Sequence, residues 1–168
     1  TLAVVAERIA PGVTTGELDR LAEEFIRDNG AVPGFKGLYG CPSTLLISVN
    51  EQVVHGLPGD RELRDGDVAS VDCGVLMNGF YGDSAYTFCV VEVAPPVKSL
   101  LRITLECLEK GIGAAIENNR TGDIGNANKI QDQFGPIGLI PMLLAGLVFA
   151  AVWTFVQYHQ IGRASCRE

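Results

Sequence analysis

The sequence lacks the paired cysteines that would indicate a zinc knuckle or a disulfide framework. Its five cysteines are scattered, and no two of them form a CxxC motif. Reduced thiols in a cytoplasmic protein are therefore the simpler interpretation. Basic residues are also few, because 13 Lys and Arg stand against 20 Asp and Glu, for a net charge of -7. Phosphate binding requires a basic surface, so this balance argues against nucleic acid as a direct partner.

The sequence also lacks a Gly-rich phosphate loop, a serine nucleophile elbow, a signal peptide and an initiating Met. The first two absences leave P-loop and serine-hydrolase chemistry without support. The first ten residues have the pattern of the interior of an amphipathic helix. We therefore expect the sequence to begin inside an element rather than at a natural start.

Charged residues are absent from 133 to 162. Residues 137–156 are long enough to cross a bilayer, and three interpretations stay open: a transmembrane anchor, a buried core helix, or sequence foreign to the first 134 residues. Residues 161–168 resemble a translated sequencing-adapter scar. We expect a domain over 1–134, a hydrophobic segment over 135–160 and a scar over 161–168. Membrane contact is expected only if 137–156 is genuine.

What the sequence does contain is a clear series of helix and strand patterns. Thr14 and Glu17 form a capping-box pair ahead of an apolar stripe, which predicts a helix. Asn78-Gly79 is the strongest hairpin signal. In chain order, the patterns predict a helix over 14–30, a loop over 33–42, a strand over 44–50, paired strands over 68–77 and 80–93, a helix over 97–118 and a weaker helix over 123–133.

The hairpin brings two aspartates together. With Asn78 and Gly79 as the turn, Asp72 lies opposite Ala85 and Gly74 lies opposite Asp83. Strand side chains alternate between the two faces, so Asp72 and Asp83 share one face, roughly 7–8 Å apart.

Two carboxylates meeting within apolar strands repel each other, and a divalent cation removes that cost. Oxygen ligands suit Mn²⁺, Co²⁺, Fe²⁺ or Zn²⁺, with further His or Glu ligands required from elsewhere. The alternative is that both aspartates are ordinary surface charges on a solvated face.

His55 is a second candidate site residue. It follows two valines and precedes Gly56, which places it at a strand end beside a loop. A histidine there can hydrogen-bond a substrate amide or carbonyl, or transfer a proton. The alternative is a structural histidine bonded to the backbone.

Taken together, these residues resemble the type I methionine aminopeptidases. The matching stretches are APGVTTGELD (10–19), ISVNEQVVHGLPG (47–59), LRDGDVASVDCGVLMNGFYGDSAYTF (63–88) and RTGDIGNA (120–127). The resemblance covers about residues 1–130. It implies an α/β (α+β) class and a partial pita-bread fold, in which helices cover one face of a curved antiparallel sheet.

The resemblance also implies roles for individual residues. Asp72 and Asp83 are expected to bind two divalent metal ions (Co, Mn, Fe or Zn), with Asp83 bridging both ions. His55 is expected to contact the substrate near the scissile bond. The loop Pro33–Leu46 is expected to contribute to a methionine pocket, in which the candidates are Phe35, Leu38, Tyr39, Cys41 and Leu46. The implied substrates are the N-terminal Met peptides of nascent chains, with the ribosome as a further candidate partner.

The sequence departs from this family after its first half. The family completes its metal site with one His, in a GHGIG-like motif, and two Glu, and that motif is missing here. We therefore expect the parent enzyme to remove N-terminal methionine and this chain alone to be inactive. The alternatives are a non-catalytic pita-bread-like binding module, membrane-tethered if the hydrophobic segment is genuine, and a prolidase-type peptidase.

Overall fold

The computed structural model describes residues 1–127, which belong to two compact units. The first unit is Thr1–Ala94, and the second begins at Pro95. The elements are α1 (Leu2–Arg8), α2 (Thr15–Asp28), β1 (Val32–Pro33), a short 3₁₀ turn (Leu38–Gly40), β2 (Leu45–Val49), β3 (Val68–Met77), β4 (Phe80–Cys89), α3 (Pro95–Ala114) and α4 (Thr121–Ala127).

Helix α2 begins at the predicted capping box. The backbone N–H of Glu17 donates to Thr14 Oγ1 at 3.2 Å, and the backbone N–H of Thr14 donates to Glu17 Oε2 at 2.7 Å. These reciprocal bonds satisfy donors that the first turn of a helix leaves free. The helix ends before Gly30, whose φ of 72° suits glycine. The prediction of this helix is confirmed.

Strand β3 is the centre of an antiparallel sheet. Strand β4 pairs with all ten residues of β3 along one edge, so β2 and β1 share the other edge. The turn between β3 and β4 has positive φ at both Asn78 (52°) and Gly79 (83°), as a two-residue turn of type I′ requires.

Strand β4 ends at Cys89, so the prediction that it continues to 93 is wrong. Val91 has a φ of 58°, which turns the chain out of the sheet direction. Val90 is held at the corner, because its N–H donates to the carbonyl of Asp67 at 2.9 Å.

The hydrophobic core of the first unit lies on one face of the sheet. Side chains of α1 and α2 pack there against alternate residues of β2 and β3. The buried residues are Val5, Leu18, Ala22, Ile26, Leu45, Ile47, Val49, Ala69, Val71 and Cys73. Because strand side chains alternate, Asp72 projects from the opposite face. The helices therefore pack on one face of the sheet. The opposite face, which carries Asp72 and which we call the carboxylate face, has no packed helix of this unit among residues 1–94.

The second unit is helical over the residues described. The predicted helix over 97–118 runs from Pro95 to Ala114. Its buried side is formed by Ile103, Cys107 and Gly111, whereas Ile112 of the predicted apolar stripe is exposed. Helix α4 begins at Thr121, slightly before the predicted start at 123.

The predicted segments 135–160 and 161–168 lie outside the described residues, as does the end of the predicted helix over 123–133. Within 1–127, no helix combines the length and apolar character needed to cross a membrane.

Candidate metal centre

The β3–β4 hairpin carries the two aspartates in the predicted register. Asp72 is paired with Ala85, and Gly74 is paired with Asp83. Both aspartates therefore lie on one face of the sheet, diagonal to each other. Gly74 and Ala85 place little side chain between them. The predicted register of this hairpin is confirmed.

The electrostatics indicate that the two carboxyl groups interact directly. The pKa of Asp72 is raised from its ordinary value of 3.8 to about 7. Burial is the largest cause, followed by the charge of Asp83 and a hydrogen bond between the two carboxyl groups, while a hydrogen bond from the backbone of Cys73 opposes the rise. A partly buried pair of acids that cannot both ionise cheaply is an arrangement that a cation stabilises.

The pair therefore fits two ligands of a divalent metal site. Hard and borderline cations prefer such oxygen ligands, and Asp72 would release its proton on binding. Among residues 1–127, no three His, Cys, Asp or Glu side chains form a group able to hold a metal ion. Two carboxylates alone make an incomplete site, so the remaining ligands of any such centre must lie outside these residues.

Phe35 lies on the same face as the aspartates. A Cβ atom added to Gly74 would point to that face and would come within 2.6 Å of Phe35 Cε1. The backbone N–H of Gly34 donates to the carbonyl of Gly74 at 2.7 Å, which fixes the chain just before Phe35. The ring of Phe35 thus packs on Gly74 of β3, the residue that pairs with Asp83.

Leu46 is the second predicted pocket residue that reaches this face. It is paired with Asp72 across the β2–β3 ladder, so the two side chains point the same way. Leu46 is half-buried. Phe35 and Leu46 therefore form an apolar wall on the carboxylate face.

The other three predicted pocket residues are less buried or have a contact elsewhere in the loop. Leu38 and Tyr39 are 53% and 101% exposed, and Tyr39 has a φ of 50°. The thiol of Cys41 lies 3.6 Å from Ser43. The described structure therefore supports Phe35 and Leu46 more strongly than Leu38, Tyr39 or Cys41.

His55 lies in an exposed segment along the outer edge of β2. Its φ is 58°, an uncommon conformation for a residue other than glycine, and such outliers are frequent at functional sites. The next residue, Gly56, is buried: its carbonyl accepts from the N–H of Ile47 at 2.7 Å, and its N–H donates to Ser48 Oγ at 3.1 Å. A Cβ on Gly56 would lie 2.2 Å from the carbonyl oxygen of Ile47, so only glycine permits this approach.

The sequence patterns did not identify Asp19 on α2. Its carboxylate accepts the backbone N–H groups of Thr44 and Leu45 at 3.0 and 2.7 Å, which fixes the start of β2. Burial raises the pKa of Asp19, although the two N–H groups oppose the rise. The contact spans 25 residues of sequence, and no local spacing rule signals it.

The chain is similar to known metallopeptidases over most of its length. The profile of metallopeptidase family M24 matches residues 1–132. A methionine aminopeptidase of Clostridium perfringens is 55% identical over 126 residues, or 75% of this chain and 51% of that protein. Methionine aminopeptidase 1 of Bacillus subtilis is 46% identical over 121 residues, or 72% and 49%. The chain spans about half the length of the curated relatives it matches.

Solved structures give the same result for the fold. The methionine aminopeptidase of Rickettsia prowazekii superposes with a TM-score of 0.74 at 34% identity, covering 76% of this chain and 51% of that one. A prolidase of Pyrococcus furiosus superposes with a TM-score of 0.65 at 20% identity, which shows a shared fold alone. The described residues therefore have the predicted partial pita-bread α/β fold.

Proposed function

Because the chain belongs to metallopeptidase family M24, which uses divalent metal ions, we propose that it is the N-terminal half of a cytoplasmic methionine aminopeptidase. The activity is removal of the N-terminal methionine from nascent polypeptides, with two divalent ions (Co, Mn, Fe or Zn) at the centre. The observation that carries this proposal is the convergence of Asp72 and Asp83 on one sheet face, where burial, the charge of Asp83 and a hydrogen bond between the two carboxyl groups raise the pKa of Asp72 to about 7.

Each candidate residue has a distinct part in this proposal. Asp72 and Asp83 would hold the divalent ions, as two of their oxygen ligands. When bound, divalent ions supply Lewis-acid activation of water and of the peptide carbonyl. His55 hydrogen-bonds the substrate near the scissile bond and steadies charge that develops there.

Phe35 and Leu46 take the methionine side chain. Both lie on the carboxylate face, Phe35 against Gly74 and Leu46 opposite Asp72. An apolar wall next to a charged centre suits a substrate with an apolar side chain beside its terminal amine. Leu38, Tyr39 and Cys41 remain weaker candidates for the same pocket, and the ribosome remains a candidate partner.

The chain alone is proposed to be inactive, because residues 1–127 offer the metal only a pair of carboxylates. The test is a chimera that joins residues 1–127 to the second half of the Clostridium perfringens relative. We expect it to release methionine from a Met-Ala-Ser peptide in the presence of Mn²⁺ or Co²⁺. Asp83→Ala should abolish release, and Asp60→Ala, which changes an exposed carboxylate, should leave it intact.

The same assay separates the alternatives. A chimera that binds Mn²⁺ and cleaves Ala-Pro but not Met-Ala-Ser would indicate a prolidase-type peptidase. A folded chimera that cleaves neither peptide would indicate a non-catalytic binding module. Either result would overturn the aminopeptidase proposal.

A further inference from the structure

Two neighbouring residues of the loop 34–44, which we call the pocket loop, contact opposite sides of the structure. Phe35 packs on Gly74 at the carboxylate face. The ammonium group of Lys36 lies 2.6 Å from Glu23 Oε2 on α2, which packs on the core face. The loop is therefore held between the sheet and the helix at this one point.

Glu23 binds a different cation with each of its oxygens. Oε2 accepts from Lys36, and Oε1 accepts from Arg27 at 2.8 Å. The side chain of Glu23 is only 21% exposed, whereas those of Lys36 and Arg27 are 41% and 53% exposed. The hydrogen bond from Lys36 is the main cause that lowers the pKa of Glu23. Arg27 belongs to α2 itself, so of these two contacts of Glu23 the one with Lys36 connects the helix to the pocket loop.

Backbone hydrogen bonds within the pocket loop also restrict its conformation. The N–H of Leu38 donates to the carbonyl of Phe35 at 2.9 Å, and the N–H of Gly37 donates to that of Cys41 at 2.8 Å. Asp19, also on α2, binds the far end of the loop at Thr44. A short, bonded loop fixed at both ends has few conformations to sample.

We propose that Lys36 and Glu23 are positioning residues, which hold the ring of Phe35 on Gly74 and thereby set the apolar wall beside the aspartate pair. The restraint on Phe35 is a property of this chain. Its consequence for methionine binding rests on the proposed function. Neither Lys36 nor Glu23 touches substrate in this arrangement, since both act through Phe35.

The test measures the position of the Phe35 ring by NMR on the full chain with ¹³C-labelled glycine. The α-proton of Gly74 that occupies the direction of a Cβ points at the ring, so ring-current shielding should move it upfield. We expect Lys36→Gln to lose most of this displacement and Lys36→Arg to keep it. Arg27→Gln, which removes the other partner of Glu23, is the matched control and should keep it. A charge-swapped pair, Glu23→Lys with Lys36→Glu, should restore it.

Unchanged Gly74 shifts in Lys36→Gln, or equal loss in Arg27→Gln, would overturn the inference. The methyl shifts of Ile47, buried on the other face, report whether each variant folds. If Lys36→Gln fails to fold, Glu23→Gln provides the same comparison with charge lost from the helix side.

Line broadening of Gly74 and Asp83 signals by Mn²⁺ tests the proposed function separately. Absent broadening with an intact Lys36 effect would count against the metal centre alone. Broadening without a Lys36 effect would count against the positioning role alone.

Discussion

Gly74 lies directly beneath the ring of Phe35, and a Cβ atom at Gly74 would come within 2.6 Å of Phe35 Cε1. Real Cβ atoms do not approach other atoms so closely, so any larger residue must displace the ring. Gly74 is also the partner of Asp83 across the hairpin. This one glycine therefore determines both how closely the pocket loop approaches β3 and what lies next to the aspartate pair.

We predict that Gly74→Ala destabilises the chain by about 1–3 kcal/mol, because the extra methyl overpacks this contact. Urea unfolding measures the change. Gly82→Ala is the matched control, since nothing lies within 4 Å of a Cβ at Gly82 on the neighbouring strand. Adding Phe35→Ala removes the clash, so the double variant should lose less stability than the sum of the single changes. Additive effects would mean that Gly74 and Phe35 do not compete for space.

The second prediction concerns Asp19, which receives two backbone N–H groups at the start of β2. Asp19→Ala leaves both donors without this acceptor, and hydrogen bonds to a charged group contribute about 1.5–3 kcal/mol each. We expect a loss of about 2–3 kcal/mol in urea unfolding and faster amide exchange at Thr44 and Leu45. Glu24→Ala, an exposed carboxylate on the same helix, should change stability by less than about 0.5 kcal/mol.

Local sequence signals were sufficient to predict the aspartate pair. Asn78-Gly79 sets the turn, the turn sets the register, and the register sets which side chains share a face. The capping box at Thr14 is equally local, because its two members are three residues apart. For these features, residues close together in the sequence are enough to specify the geometry.

The features that were missed depend on contacts between distant parts of the chain. Strand β1 has two residues and exists because the chain at Gly34 approaches Gly74. The contact from Lys36 to Glu23 spans 13 residues and joins a loop to a helix. No periodicity encodes such contacts, since they require the sheet and α2 to be in place first. The early end of β4 was missed for a different reason. Valine ordinarily favours strands, so the valines after Cys89 predict a longer strand.

The third prediction follows from Val91, the residue that ends β4. A β-branched residue with a φ of 58° is strained, and Val91 is 66% exposed, so packing gives little in return. Such a conformation costs about 1–3 kcal/mol. We expect Val91→Gly to stabilise the chain by about 1 kcal/mol, which allows for the greater entropy of glycine when unfolded.

Urea unfolding of the Val91 variant is compared with that of Val53→Gly. Val53 is 44% exposed but lacks a positive φ, so glycine there should bring no gain. Equal effects at the two positions would show that Val91 is not strained.

The fourth prediction is a pH dependence that arises from Asp72. Its pKa in the folded chain is about 7, against an ordinary value of 3.8. Between these values the folded chain binds more protons than the unfolded chain, so stability falls as pH rises. Without metal, we therefore expect the free energy of unfolding to fall from about pH 4 to about pH 7. Asp72→Asn should flatten this part of the profile, and Glu24→Gln should not.

We expect a divalent ion to reverse this dependence of the free energy of unfolding on pH. Mn²⁺ binds the ionised pair, so it competes with the proton on Asp72 and stabilises the folded chain more at pH 8 than at pH 5. Thermal unfolding with and without Mn²⁺ measures this difference, and Asp83→Asn should remove it while Asp60→Asn should not. If Mn²⁺ stabilised the chain equally at both pH values, or stabilised Asp83→Asn as well, the ion would be binding elsewhere. The carboxylate pair would then be an acid pair that shares a proton and holds no metal.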